Sequence, residues 1–143
     1  MTELLPIEDL DKGTRRLVRL ALKARKRAYA PYSKYTVGCA ILDNRNKIHT
    51  GCNIETDSFL ATVCAERVAI LKMLSRGGRE CRKVVVVTEF ENPTFPCGVC
   101  RQVIYEFGKR AIIYAVGGRG TVFQRSDIGE LFPYSYAVED LRV

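Results

Sequence analysis

Apolar residues recur at helical spacing along IEDLDKGTRRLVRLALKARKRAYA, at Leu10, Leu17, Val18, Ala21, Leu22 and Ala28, which predicts an amphipathic helix with one buried stripe. Pro31 is the predicted stop. In KYTVGCAIL, Val37, Cys39 and Ile41 alternate with other residues, the period of a strand, and after the turn DNRN the stretch KIHTGCNI predicts its hairpin partner. ETDSFLAT is polar and irregular. From Val63 the pattern is helical again, through Val68, Ile70, Leu71 and Leu74, and it ends at Gly77-Gly78. KVVVVTEF is a continuous β-branched run, as in a strand covered on both faces. ENPTFP predicts a loop, CGVCRQVIYEFG a helix that starts at or just after Cys97 and ends at Gly108, and AIIYAV a strand. After a turn at GGRG come a further short strand at TVFQ and a short helix at DIGELFP. The order α-β-β-α-β-α-β-(β)-α predicts an α/β fold, a mixed sheet with helices on both faces.

Length changes this picture little: 143 residues suit one domain, residues 1–143, with a core of its own. No apolar run approaches the ~20 residues of a membrane span. The first residues, MTELLPIEDLDKGTRR, begin acidic and contain no apolar signal core, so a cytoplasmic location is expected. The formal charge of +7 is partly local, since the stretch from Lys12 to Arg27 holds eight Lys or Arg and no acid. These cations fall opposite the apolar stripe and predict a solvated helix face.

Six cysteines in such a compartment point to metal or catalysis before disulfides. Cys97 and Cys100 form a Cys-x-x-Cys pair, which alone fits a redox dithiol, half of a zinc site, or coincidence. The redox reading expects the pair after the first strand, and a closed four-cysteine site needs a second pair, which the sequence lacks. Cys39, Cys52 and Cys81 stand alone and are read as small buried hydrophobes. Cys64 starts a predicted helix, as Cys97 and Cys100 do, where the helix dipole and free N–H groups favour the thiolate that a metal needs. Three sulfurs converging on one ion leave a fourth tetrahedral position open, the hallmark of catalytic zinc. Glu66, two residues after Cys64, is placed to move a proton there. Arg67 is expected to donate hydrogen bonds to the sulfurs; for Arg101 that role and a surface charge stand level.

With these residues assembled, CAE followed by PCGVC resembles the zinc nucleoside deaminase pattern, whose three-cysteine variant and non-ligand Glu are known chemistry. APYSKYTVGCAI, GCNIE, CAERVAI, PCGVCRQV and LFPYSYAVEDL are similar, in order and spacing, to small homotetrameric cytidine deaminases over nearly the whole chain. The resemblance implies a three-layer α/β/α sandwich around a five-stranded mixed sheet. It implies one Zn²⁺ per subunit on Cys64, Cys97 and Cys100, with Glu66 as proton shuttle in the hydrolytic deamination of cytidine or deoxycytidine, within pyrimidine salvage. It also implies substrate contacts from the Ala65 amide, from Asn53 and Glu55 to the ribose 3′-hydroxyl, from Tyr35, and from Tyr136 reaching a neighbouring subunit's site in a homotetramer.

The chain departs from the family where Asn-x-Glu-Asn-Ala-x-Tyr becomes NIETDSF. Thr56, Asp57 and Phe59 replace the family's Asn, Ala and Tyr; in the family the Ala and Tyr positions approach the sugar's 5′ end from an adjacent subunit, and Asp57 would repel a 5′-phosphate. Phe95 replaces a Ser before Pro-Cys, where the family contact is a backbone carbonyl. Three other readings compete. One is a deaminase of a modified nucleoside such as blasticidin S, against which Asn53 and Glu55 argue. Another is a nucleic-acid-editing enzyme, against which the absence of aromatics on the basic helix argues. The last is a zinc-stabilised binding module whose fourth ligand would be His49, the sole histidine, expected instead at the surface of the hairpin.

Overall fold

The computed structural model describes residues 3–117 and 119–138. Its secondary elements run β1 (Leu5–Pro6), α1 (Lys12–Arg25), β2 (Val37–Asp43), β3 (Ile48–Cys52), α2 (Ala65–Ser75), β4 (Cys81–Thr88), α3 (Gly98–Phe107), β5 (Ile112–Gly117), β6 (Val122–Asp127) and α4 (Ile128–Leu131), with short 3₁₀ turns at Ile7–Asp9 and Phe59–Ala61. The sheet order is β1-β6-β5-β4-β2-β3. β4 and β5 are parallel and the other neighbours antiparallel.

The mixed sheet is as expected, but its strand number is corrected from five to six. The added strand is β1, where Leu5 pairs with Phe123 and Pro6 with Val122. Two residues are too short to show alternation, and Pro6, without an N–H, suits the edge it occupies.

The continuous run in β4 is covered on both sides. Val85 and Val87 pack with Leu17, Val18 and Ala21 of α1, together with Ala40, Tyr114 and Val116. Val84 and Val86 face the opposite layer, with Ala69, Ile70 and Met73 of α2, Ile104 of α3 and Ile128 of α4. Alternation along an extended chain divides one run of valines between two cores.

α1 begins at Asp11, whose carboxylate accepts hydrogen bonds from the Thr14 amide at 2.9 Å and the Thr14 hydroxyl at 2.6 Å. It ends at Arg25, well before Pro31. The Arg25 guanidinium donates to the Thr88 carbonyl at 2.8 Å, and Tyr29 then pairs with Asn53 and Glu55 through backbone hydrogen bonds. Tertiary pairing thus takes the chain out of the helix before the proline does. α1 lies so near β2 that a Cβ on Gly38 would collide with the Ala21 carbonyl and lie 2.7 Å from the Arg25 amide nitrogen.

His49 corrects an expectation. It is 3% exposed, and its Nε2 lies 2.9 Å from Oδ2 of the fully buried Asp43. It lines a cavity with Arg45, Lys47, Ile48 and Arg76, apart from the three-cysteine cluster. Its position on β3 shares parity with Gly51, on the side facing α2, which the hairpin pattern did not reveal. Burial alone would raise the Asp43 pKa, but hydrogen bonds from His49 and from the amides of Lys47 and Arg45 outweigh it and hold the carboxyl at about 2. A carboxylate with a depressed folded pKa stabilises the fold above its ordinary value of 3.8 and loses that contribution as pH falls toward 2. Asp43→Asn is therefore expected to cost about 2 kcal/mol at pH 7, and to flatten the loss of stability between about pH 4 and 2. Urea unfolding across that range measures both.

Cys39 and Cys81 are buried as expected, but Cys52 is only half-buried. It sits on the β3 face opposite His49 and Gly51, beside a cavity between α1 and α2. No helix among the described residues is long and apolar enough to cross a membrane.

Candidate metal centre and substrate pocket

Two helix starts build the centre. Cys64 is the N-cap of α2 and Cys97 the N-cap of α3, each in extended conformation, and Cys100 lies within the first turn of α3. The approach to Cys64 is braced, because Ile54 bridges both Tyr29 and Val63 and so ties the strand end to the segment leading into α2. The sulfurs of Cys64, Cys97 and Cys100 lie within 4.8 Å of one another. Tetrahedral Zn–S bonds of about 2.3 Å put sulfurs about 3.8 Å apart, so the spacing fits one ion.

The electrostatics fit as well. Cys64 accepts a hydrogen bond from Cys100 and one from Arg67, which hold its thiol at about 5 although burial opposes ionisation. Cys100, the donor of that pair, is pushed up by the same hydrogen bond and by burial. Three soft sulfur donors at this spacing fit a zinc site. The sulfurs grade from buried Cys100 through half-buried Cys64 to exposed Cys97, so the cluster opens on one side. Arg67 donates to the Thr62 carbonyl at 3.1 Å and lies 3.8 Å from Cys64 Sγ. Arg101 donates to backbone carbonyls, those of Pro96 at 2.8 Å and Leu131 at 2.9 Å.

On the open side lies a cavity of about 300 Å³ lined by Tyr35, Asn53, Glu55, Cys64, Glu66 and Cys97, among others. Its size suits a small polar ligand. Glu66 is 4% exposed. Burial, reinforced by the charge of Cys64, raises its carboxyl to about 7 against a backbone hydrogen bond and the pull of Arg67. A group poised there can both take and give a proton near neutral pH. Ala65, the first residue of α2, is fully buried at the same helix start.

Asn53 and Glu55 have backbone work of their own. Asn53 Oδ1 accepts from the Val37 amide at 2.8 Å, and its Nδ2 donates to the Tyr35 carbonyl at 2.7 Å. Glu55 Oε1 accepts from the amides of Tyr32 and Ser33 at 3.0 and 3.1 Å. These bonds hold the Tyr32–Val37 segment as one wall of the cavity. They leave one amide hydrogen on Asn53 and the second oxygen of Glu55 for a ligand. Tyr35 stacks on Phe90 with ring centroids 5.1 Å apart, and burial raises its hydroxyl above the ordinary value.

Tyr136 does not join this group. It is 57% exposed and sits against α3, where the Gln102 side chain donates to its carbonyl at 3.2 Å. The end of the LFPYSYAVEDL motif, Glu139 to Leu141, lies outside the described residues. Of the departing residues, Asp57 accepts a hydrogen bond from the Tyr32 hydroxyl, and Phe59 meets the Tyr32 ring edge-on at 6.1 Å.

Thr88 and Thr94 also line the cavity and escaped the sequence reading. Thr88 is 1% exposed, and its hydroxyl is buried without a hydrogen-bond partner. Its parity with Val84 and Val86 was the available signal: the last residue of a core-facing row is polar where the row reaches the site.

The comparisons agree with this geometry. The family described as "Cytidine and deoxycytidylate deaminase zinc-binding region" matches residues 11–116. A cytidine deaminase from Sporosarcina psychrophila is 40% identical over 127 residues, 88% of this chain and 93% of that protein. One from Halalkalibacterium halodurans is 37% identical over 125 residues, 87% and 95% of the two chains. The crystal structure of a cytidine deaminase from Burkholderia pseudomallei superposes with a TM-score of 0.81 at 36% identity, covering 89% of this chain and all of that one. By sequence and by fold, this chain belongs to the cytidine and deoxycytidylate deaminase zinc-binding family.

Proposed function

We propose that this chain, a single catalytic domain, is a zinc-dependent hydrolase that converts cytidine and 2′-deoxycytidine to the uridine forms with release of ammonia. The observation that carries the reading is the shared cavity: Glu66 and the open side of the cysteine cluster meet Asn53 and Glu55 across a space suited to a nucleoside. Cys64, Cys97 and Cys100 would hold Zn²⁺, which supplies the Lewis acidity that makes water nucleophilic near neutral pH.

The residues of the chain then divide the work. Glu66 takes the proton of the attacking water as oxygen adds to C4 of the pyrimidine. It passes that proton to N3, and afterwards carries the remaining hydroxyl proton from the oxygen on C4 to the exocyclic amine, so that the C4–N bond breaks, ammonia leaves and C4 keeps the oxygen as a carbonyl. The Ala65 amide and the Phe95 carbonyl contact the pyrimidine edge. Asn53 and Glu55 use their remaining amide hydrogen and carboxylate oxygen on the ribose 3′-hydroxyl. Tyr35 walls the sugar side. Arg67 keeps the Cys64 sulfur charged.

Tyr136 belongs to a neighbouring subunit's site in a homotetramer. The outward position of its half-exposed ring supports this, together with exposed Phe59, Leu60 and Val138. Nucleosides are favoured over 5′-nucleotides because the Asp57 carboxylate would oppose a 5′-phosphate. The reaction belongs to pyrimidine salvage in the cytoplasm.

Ammonia release by the zinc-loaded protein tests this with cytidine, deoxycytidine and deoxycytidine 5′-monophosphate side by side. Rapid turnover of the two nucleosides and little of the nucleotide is expected. A preference for the nucleotide, or no turnover of any of the three, would overturn the substrate assignment.

A further inference from the structure

Each helix that carries a metal-binding cysteine also carries an arginine about one turn in, and the two arginines behave differently. Arg67 touches sulfur. Arg101 grips backbone on both sides of its own helix start: its Nε donates to the Pro96 carbonyl at 2.8 Å and its Nη1 to the Leu131 carbonyl of α4 at 2.9 Å.

Pro96 immediately precedes Cys97, the exposed N-cap of α3, which makes no side-chain capping bond. The connection from β4 to that cysteine, residues 89–97, contains no helix or strand. The Cys97 carbonyl accepts the first backbone bond of α3, from the Arg101 amide at 2.9 Å, but no helix or strand bonds hold the stretch that leads into it. Proline has no N–H to offer, so its carbonyl is the main-chain group available for anchoring. A guanidinium suits the task because its donors form a rigid planar fork and stay charged.

We propose that Arg101 is a positioning residue for the metal centre. It clamps the Pro96 carbonyl to α4, and so keeps the Cys97 sulfur at the spacing from Cys64 and Cys100 that a single ion spans. The inference rests on the reading of these three cysteines as Zn²⁺ ligands. Without the clamp the ion must order the Pro96–Cys97 turn itself, and it is held less tightly.

The test is zinc release from the fully loaded protein into excess chelator, followed by the absorbance of a metal-responsive dye. It compares the native chain with Arg101→Gln, Arg101→Lys and Leu17→Ala, the last emptying a core position in α1 on the far side of the sheet. Arg101→Gln is expected to release zinc about tenfold faster, the size of effect usual for residues that orient metal ligands. Arg101→Lys keeps the charge but loses the fork, so release should remain several-fold faster than native. Leu17→Ala, although less stable, should release at the native rate. Release from Arg101→Gln within twofold of native would overturn the inference. So would equal acceleration by Leu17→Ala, which would mean that global stability sets the rate, or full recovery in Arg101→Lys, which would mean that charge alone matters. If Arg101→Gln fails to fold, Arg101→Lys against Leu17→Ala decides. A native chain that loads no zinc would overturn the ligand reading and this inference with it; a loaded native chain with an unaffected variant overturns only the inference.

Discussion

Glu66→Gln is expected to lower cytidine turnover by roughly 10²–10⁴-fold, the range that a positioned proton-transfer group supplies, while the protein still folds, loads zinc and binds nucleoside. Glutamine matches the size of glutamate and can form hydrogen bonds, but it cannot accept and return a proton. The position admits little else: Glu66 is buried at the start of α2, beside Cys64 and facing the cavity. Bulk water is poorly placed to substitute for it. Single-turnover ammonia release, read together with zinc content and nucleoside affinity, separates the chemical step from binding. A variant that kept more than a tenth of native turnover would remove Glu66 from the reaction.

Gly51→Ala should damage fold and site together. A Cβ at Gly51 would collide with the Ala65 carbonyl, and would lie 2.7 Å from the Ala69 amide nitrogen and 3.0 Å from the Val68 Cβ. The first two obstacles are helix backbone, which cannot rotate aside as a side chain can. α2 would have to lift from β3, and its lifting end carries Cys64, Ala65 and Glu66. The expected cost is about 3 kcal/mol, toward the upper end for overpacking, or about 10 °C in Tm for a chain of this length. Because the displaced atoms include the start of the metal helix, weaker zinc binding and slower turnover should accompany the lower Tm. Gly129→Ala is the control. Nothing lies within 4 Å of its added Cβ, and replacing a helical glycine should be neutral or slightly stabilising. Melting curves and zinc titrations of the two variants check the contrast. If Gly51→Ala melts like the native chain, α2 and β3 are not in the contact described.

The parts of the fold that could be read from the chain were those governed by local rules. The stripe of α1, the glycine pair ending α2, the start of α3 at Cys97 and the two-faced β4 follow from periodicity and capping, which act over one or two turns. β1 was not legible, because a two-residue strand carries no period and exists only through pairing with β6. The end of α1 was read too late for a related reason. Pro31 is a local signal, whereas the bonds from Arg25 to Thr88 and from Tyr29 to Asn53 join distant parts of the chain.

The candidate site divides along the same line. Residue type, the Cys-x-x-Cys and Cys-x-Glu spacings and a place at a predicted helix start singled out Cys64, Cys97, Cys100 and Glu66, although neighbours and burial give the Cys64 thiol and the Glu66 carboxyl their character. Whether the two starts converge was beyond any local rule, and the sheet that seats α2 and α3 on the same face brings the sulfurs within 4.8 Å. Tertiary contacts also assigned His49 to a buried pair with Asp43, gave Asn53 and Glu55 backbone partners, engaged Arg101, whose role the sequence left open, with two backbone carbonyls, and put Thr88 at the end of a core row with its hydroxyl unpaired. Sequence by itself determined which side chains could bind zinc and move a proton, because that capacity belongs to the atoms and their immediate backbone. Tertiary structure alone decided which of them share a cavity and which polar groups are already engaged. Both depend on distances between residues far apart in the chain, and packing across the sheet sets those distances.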